Sequence, residues 1–190
     1  MKILIIQENG RHEKNRNFRE CFCLQRSFAK LGHNATVWGL GHENYKTVPN
    51  SPYDTPKINI PDYDSYDLII NLENYSNTAG NWVPDLSNVT AKKFLWSIDA
   101  HVIGVEPFNI EYLNGKYDLL LHSTREYVVG DHMVWFPNAY DDTLINKRIV
   151  ENRCDVGFCG SLLNRSIVLG RLSEKYGIIH DNFIIGEDMV

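Results

Sequence analysis

Hydrophobic positions along this chain change period repeatedly, and the changes outline alternating strands and helices. Ile3-Leu4-Ile5-Ile6 is an unbroken apolar run, the pattern of a strand covered on both faces in a parallel sheet. A polar, Gly-containing stretch follows from Gln7 to Asn17. Phe18, Cys21, Phe22, Leu24, Gln25, Phe28 and Leu31 then recur at helical spacing, and Gly32-His33 ends them in the manner of a C-cap. Ala35 to Trp38 predicts a second strand. Strand, helix and strand within the first 38 residues are the βαβ unit of a doubly wound fold.

Residues 39–64 hold four prolines and no periodicity, which predicts a long surface connection. Tyr66–Leu72 and Lys93–Ile98 read as the third and fourth buried strands, and the Asn- and Ser-rich stretch between them offers only a weak helix, Val83 to Asn88. Pro107–Asn114 predicts a short helix with Pro near its start. Tyr117–His122 and Met133–Phe136 complete the series as strands, the latter closed by Pro137. Asp141 to Asn152 is polar and charged, as a linker is. Beyond it come a strand (Val156–Cys159), Gly160-Ser161, a helix (Arg165–Tyr176) and a strand (Phe183–Ile185) that ends at Gly186.

A lone βαβ cannot bury both faces of its sheet, so it docks on the preceding residues, pairs with another chain or belongs to a longer parent, of which the last is expected. The expected fold is therefore α/β: a Rossmann-like parallel sheet flanked by helices, with the first βαβ of a second Rossmann-like domain. The expected division is residues 1–140 as the N-terminal domain, 141–153 as linker and 154–190 as the truncated start of the C-terminal domain.

Length and charge narrow the classes. The 190 residues suffice for one core of about 150 residues and a remnant. A net charge of −5 argues against nucleic acid as a bulk electrostatic partner. Cys21, Cys23, Cys154 and Cys159 fall in C-x-C and C-x4-C, not the usual zinc spacing, and read as reduced, buried thiols. The first apolar run is too short for a signal-peptide core or a membrane span, so the expected address is the cytoplasm, where the N-x-S/T triplets carry no glycan.

In doubly wound folds ligands sit at the carboxyl ends of the parallel strands. Those ends deliver Gln7, Glu8, Asn9 and Gly10; Asn71, Glu73 and Asn74; Asp99 and His101; His122, Ser123 and Thr124; and Asn138. Such a rim suits a polyhydroxylated ligand. An Asp two residues from a His can orient the imidazole and raise its basicity, which makes Asp99 and His101 a candidate catalytic pair. Asp99 can equally cap the following turn, with His101 packed on Val102 and Ile103. His122, for its part, can join a hydrogen-bond cluster with Ser123 and Thr124 at a helix start.

Asp62-Tyr63-Asp64 matches a metal-holding D-x-D, but it precedes a buried strand where a site carboxylate should follow one. No G-x-G-x-x-G follows the first strand and no G-x4-G-K-[ST] occurs, so dinucleotide and P-loop readings lack their phosphate cradle. Trp96 and Trp135, at strand positions, read as core. Gly160-Ser161 with Arg165 is a second constellation: close backbone approach, a helix start and a guanidinium suit a diphosphate, although a tight turn beside a solvated Arg has the same sequence.

Three stretches, Phe94-Leu95-Trp96-Ser97-Ile98-Asp99-Ala100-His101, Val134-Trp135-Phe136-Pro137-Asn138-Ala139-Tyr140-Asp141 and Asp155-Val156-Gly157-Phe158-Cys159-Gly160-Ser161 with Arg165, resemble glycosyltransferases of the GT-B class, within it the CgeB-like spore-maturation and phage-type proteins. The resemblance implies two Rossmann-like domains facing a cleft, the acceptor held by the N-terminal one and a nucleotide-sugar, as co-substrate, by the other. It places Asp99 and His101 in the acceptor-side catalytic region, beside a rim of Glu8, Asn9, Gly10, Asn74, His122 and Asn138. It places Gly160, Ser161 and Arg165 at the donor diphosphate, and it implies no metal and no other cofactor. The acidic residues with which that class grips the donor ribose and sugar have no counterpart in this sequence. The alternative is a non-catalytic Rossmann-like module that uses the same rim to hold a sugar, a nucleotide or a protein.

Overall fold

The apolar runs between Ile3 and Phe136 become strands, each within a residue or two of its expected ends. A computed structural model describes residues 1–9, 19–45, 47–48, 57–73, 85–100, 104–139, 141, 157–159, 166–176 and 179–181. Strands β1 (Lys2–Ile6), β2 (Asn34–Trp38), β5 (Leu68–Leu72), β6 (Lys92–Ser97), β7 (Leu119–His122) and β8 (Met133–Trp135) form one six-stranded sheet in the order β2-β1-β5-β6-β7-β8. Every pairing in it is parallel. Two short strands, β3 (Thr47–Val48) and β4 (Lys57–Ile58), make a separate antiparallel pair within the connection expected to be irregular.

The protein is thus α/β with a Rossmann-like parallel sheet. The chain leaves β1 toward β2 on one side and continues from β5 on the other, so the strand order reverses between β1 and β5. That is the topological switch point, where open parallel sheets offer a crevice above their carboxyl ends.

Side chains alternate across the sheet and meet helices on both faces. On one face Ile3, Ile5, Val37, Ile70, Leu72 and Trp96 pack with Cys21 and Phe28 of α1 (Glu20–Lys30). On the other Leu4, Ile6, Ile69, Leu95 and Leu120 pack with Phe108 of α2 (Glu106–Leu113), whose first turn holds Pro107. At the C-terminus of α1, Gly32 takes φ +78°, its N–H donates to Ala29 O and the His33 N–H donates to Phe28 O. This Schellman arrangement confirms the expected stop. Leu31, counted in the apolar stripe, is 71% exposed, because it lies past the last helical turn.

Three expectations change. Residues 85–88 form a turn, not a helix: Asp85 Oδ1 accepts the Ser87 N–H at 3.1 Å, and Leu86 plugs the core. Trp135 is 48% exposed: it lies on β8, the last strand in the sheet order, and among the described residues no strand pairs with the outer side of β8. Beyond the main sheet, β9 (Gly157–Cys159), α3 (Ser166–Tyr176) and β10 (Ile179–Asp181) make a parallel βαβ unit. The strand paired with β9 is therefore Ile179–Asp181, whereas Phe183–Ile185 lies outside the described residues. Ile167 and Val168 on α3 are exposed.

Candidate functional site

The end of β1 is spent on structure. Gln7 is buried; its amide oxygen accepts the Cys21 N–H at 3.1 Å and its Nε2 donates to Glu20 Oε2 at 2.9 Å. One side chain thereby caps the first turn of α1, whose N-cap Arg19 makes no side-chain cap. A Rossmann-type phosphate would sit at this helix start, but here the Gln7 amide occupies it beside the Glu20 carboxylate, which repels an anion. Arg19 donates to Glu8 O at 2.6 Å, and buried Asn9 donates its N–H to Leu40 O at 2.7 Å while its backbone packs on Gly41.

Next to it, β5 ends in a constrained turn. Glu73 takes φ +57°, a left-handed conformation uncommon outside glycine and asparagine. Its Oε1 accepts two backbone N–H groups, from Ile98 and, at 2.7 Å, from Asp99. The carboxylate so ties the end of β5 to the turn after β6 and fixes the backbone that presents Asp99, whose position is exposed. Burial pushes the Glu73 carboxyl above its ordinary value, against the two N–H donors, which favour the charged form.

On the α2 side of the sheet, polar side chains interrupt the apolar face near its carboxyl edge. Asn71 Nδ2 donates to the phenol oxygen of Tyr117, and burial raises that phenol well above its ordinary value. Ser97 and His122, the last residues of β6 and β7, stand directly opposite each other in register, and both are buried. Among the described residues neither the Ser97 hydroxyl nor either ring nitrogen of His122 has a hydrogen-bond partner. The imidazole lies edge-on to Phe108 at 6.1 Å between ring centres. Desolvation lowers its pKa, helped by His132, so His122 is neutral at pH 7.

These positions sort the expected rim. Glu8, Asn9, Asp99, His122 and Asn138 all follow or close sheet strands at the carboxyl edge; Glu8 is half-buried, Asp99 and Asn138 are exposed, and Asn9 and His122 are sealed. His122 takes no part in a hydrogen-bond cluster with Ser123 and Thr124; Ser123 Oγ donates instead to Ile98 O at 2.6 Å. Gly10, Asn74, His101, Gly160, Ser161 and Arg165 lie outside the described residues, as does the Asp99–His101 geometry. Asp64 accepts from Thr90 N and Oγ1 at 2.8 and 2.7 Å, away from the carboxyl edge, as its place before β5 implied. Among the described residues no group of three or more His, Cys, Asp or Glu side chains could hold a metal ion, and no helix is long and apolar enough to cross a membrane. Cys21 and Cys23 are free thiols, and burial pushes Cys21 up to about 12.

Sequence reasoning missed Ser97 and misplaced Trp135. The signal for Ser97 was present: in Lys93-Phe94-Leu95-Trp96-Ser97 it shares the Leu95 face, so alternation puts a hydroxyl on a core-facing position. No protein-family model, curated protein or solved structure matches this chain.

Proposed function

We propose that this chain is the N-terminal, acceptor-side part of a GT-B-type, CgeB-like glycosyltransferase that moves a sugar from a nucleotide-sugar to an acceptor without a metal. The observation that carries the reading is the Glu73 clamp. A strained backbone and a half-buried carboxylate are both committed to holding the Ile98–Asp99 turn, and strain of about 1–3 kcal/mol of this kind tends to collect at functional sites. What the clamp presents to solvent is Asp99, the acid expected to orient the His101 imidazole as general base. The crowded helix start after β1 fits the same division of labour, since it leaves the donor diphosphate to residues elsewhere, for which Gly160, Ser161 and Arg165 are the candidates.

The test is transfer itself. UDP-, GDP- and TDP-sugars are titrated by calorimetry against the protein, and radiolabelled sugar transfer to an oligosaccharide and glycoside panel is compared for the unmodified protein and Asp99→Asn. Transfer that falls in the variant at unchanged donor affinity supports the reading. Saturable sugar or nucleotide binding with no transfer to any acceptor identifies a non-catalytic binding module instead.

A further inference from the structure

The register of the sheet lines up Ser97, His122 and Trp135 on three neighbouring strands. Each stands two residues beyond a core residue of the α2 face, respectively Leu95, Leu120 and Met133, so all three share that face. The row runs from a buried hydroxyl through a buried imidazole to an indole that is half open to solvent.

That indole is held in place. Its Nε1 donates to Ser123 O at 3.2 Å, and the Arg125 guanidinium stands over the ring with its carbon 5.6 Å from the centroid, within cation–π range. Arg125 is exposed and has no carboxylate partner among the described residues. A fixed aromatic surface beside an unpaired guanidinium costs little further ordering when a ring with a negative charge settles on it.

We propose that Trp135 and Arg125 form a binding subsite for a sugar ring carrying one anionic group, a phosphate or a carboxylate. The indole takes an apolar ring face and Arg125 takes the anion in a charge-assisted hydrogen bond. A polyanion is the wrong ligand, because nucleic acids need several phosphate contacts and here a single Arg is flanked by exposed Glu126 and Asp131. Because the assignment names the acceptor class of the transfer proposed above, it rests on that reading. Binding is scored without any donor, so failure of binding and failure of transfer are read separately.

The experiment follows the Trp indole N–H resonances of the full chain, with the Trp135 signal assigned by its loss in Trp135→Phe. Glucose 6-phosphate, glucuronate, glucose, inorganic phosphate and AMP are titrated in turn. A saturable shift of the Trp135 signal with an anionic sugar is expected, at least about tenfold weaker with glucose, as loss of one charge-assisted hydrogen bond implies. Arg125→Ala, an exposed change that leaves the other indole signals in place, should abolish the preference for the anionic sugar. The proposal is overturned if neither anionic sugar shifts the signal, if phosphate alone matches them, or if AMP binds more tightly than both. Concentration-dependent self-association that broadens the Trp135 signal without any sugar would also overturn it, by making the patch an interface between copies.

Discussion

The two ends of the parallel sheet use the same kinds of side chain in opposite ways. At the amino end two carboxylates are each committed to a neighbouring backbone. Asp67, just before β5, accepts the Lys2 N–H at 2.6 Å and returns its own N–H to Lys2 O at 2.9 Å. Asp118, just before β7, makes the same exchange with Lys93, at 2.8 Å in both directions. At the carboxyl end Glu73 is likewise committed, but the Asp99 position is exposed, Ser97 and His122 are buried without a side-chain hydrogen bond among the described residues, and Trp135 is half open. Satisfied polar groups stabilise a fold, and unsatisfied ones cost about 1–3 kcal/mol each. Asp67 and Asp118 thus tie strands together at the amino end, whereas Ser97 and His122 cost stability at the carboxyl end.

The largest expected effect breaks that contrast on the activity side. Asp99→Asn should lower sugar transfer by ~10²–10⁴-fold, the usual contribution of a general-base pair. The melting temperature should barely change, since the turn is held through backbone N–H groups. A variant that melts early and retains transfer would assign Asp99 to the structural class.

Next in size is the amino end. Asp118→Ala removes the acceptor for the Lys93 N–H and should cost about 1–2 kcal/mol in denaturant unfolding, with ligand binding at the other end unchanged. Lost binding at intact stability would erase the distinction between the two ends.

His122→Leu works in the opposite direction. It replaces two orphaned nitrogens by hydrocarbon beside Phe108, and should leave stability at pH 7 unchanged or raise it by about 1 kcal/mol. The pH dependence carries the sign. The folded pKa lies below the ordinary 6.5, so the unfolded chain binds the extra proton and stability is lost as pH falls below about 6.5 toward the folded value. Thermal melts from pH 7.5 to 5 should show His122→Leu losing less stability than the unmodified protein over that window.

The smallest effect concerns Glu73. Its folded pKa is raised above the ordinary 4.5, so the folded state holds the proton more tightly and stability declines as pH rises through that window. Glu73→Gln keeps an acceptor for the turn and should remove this decline while changing stability at pH 7 by less than ~0.5 kcal/mol. Amide exchange at Ile98 and Asp99 reports whether the clamp survives.

Much of the fold was legible from local pattern. Ile3–Ile6, Tyr66–Leu72 and Lys93–Ile98 read as strands buried on both faces because such strands need unbroken apolar runs, and Gly32 marked a helix end because only a residue tolerant of positive φ closes it. The carboxyl edge was legible as well, since a parallel sheet has one such edge and the residues that follow each strand begin there. The sequence alone thus determined the class of fold, the strand segments and the edge on which to look. Strand order, and with it depth, was decided only by the tertiary structure. The run Met133-Val134-Trp135-Phe136 is as apolar as a central strand, yet it stands at the end of the strand order, where Trp135 is half open. His122 stands at a strand end in sequence, where a polar residue can face solvent, but the neighbouring strands and Phe108 enclose it. The physical reason is that burial depends on lateral neighbours, which the chain supplies from residues far away in sequence.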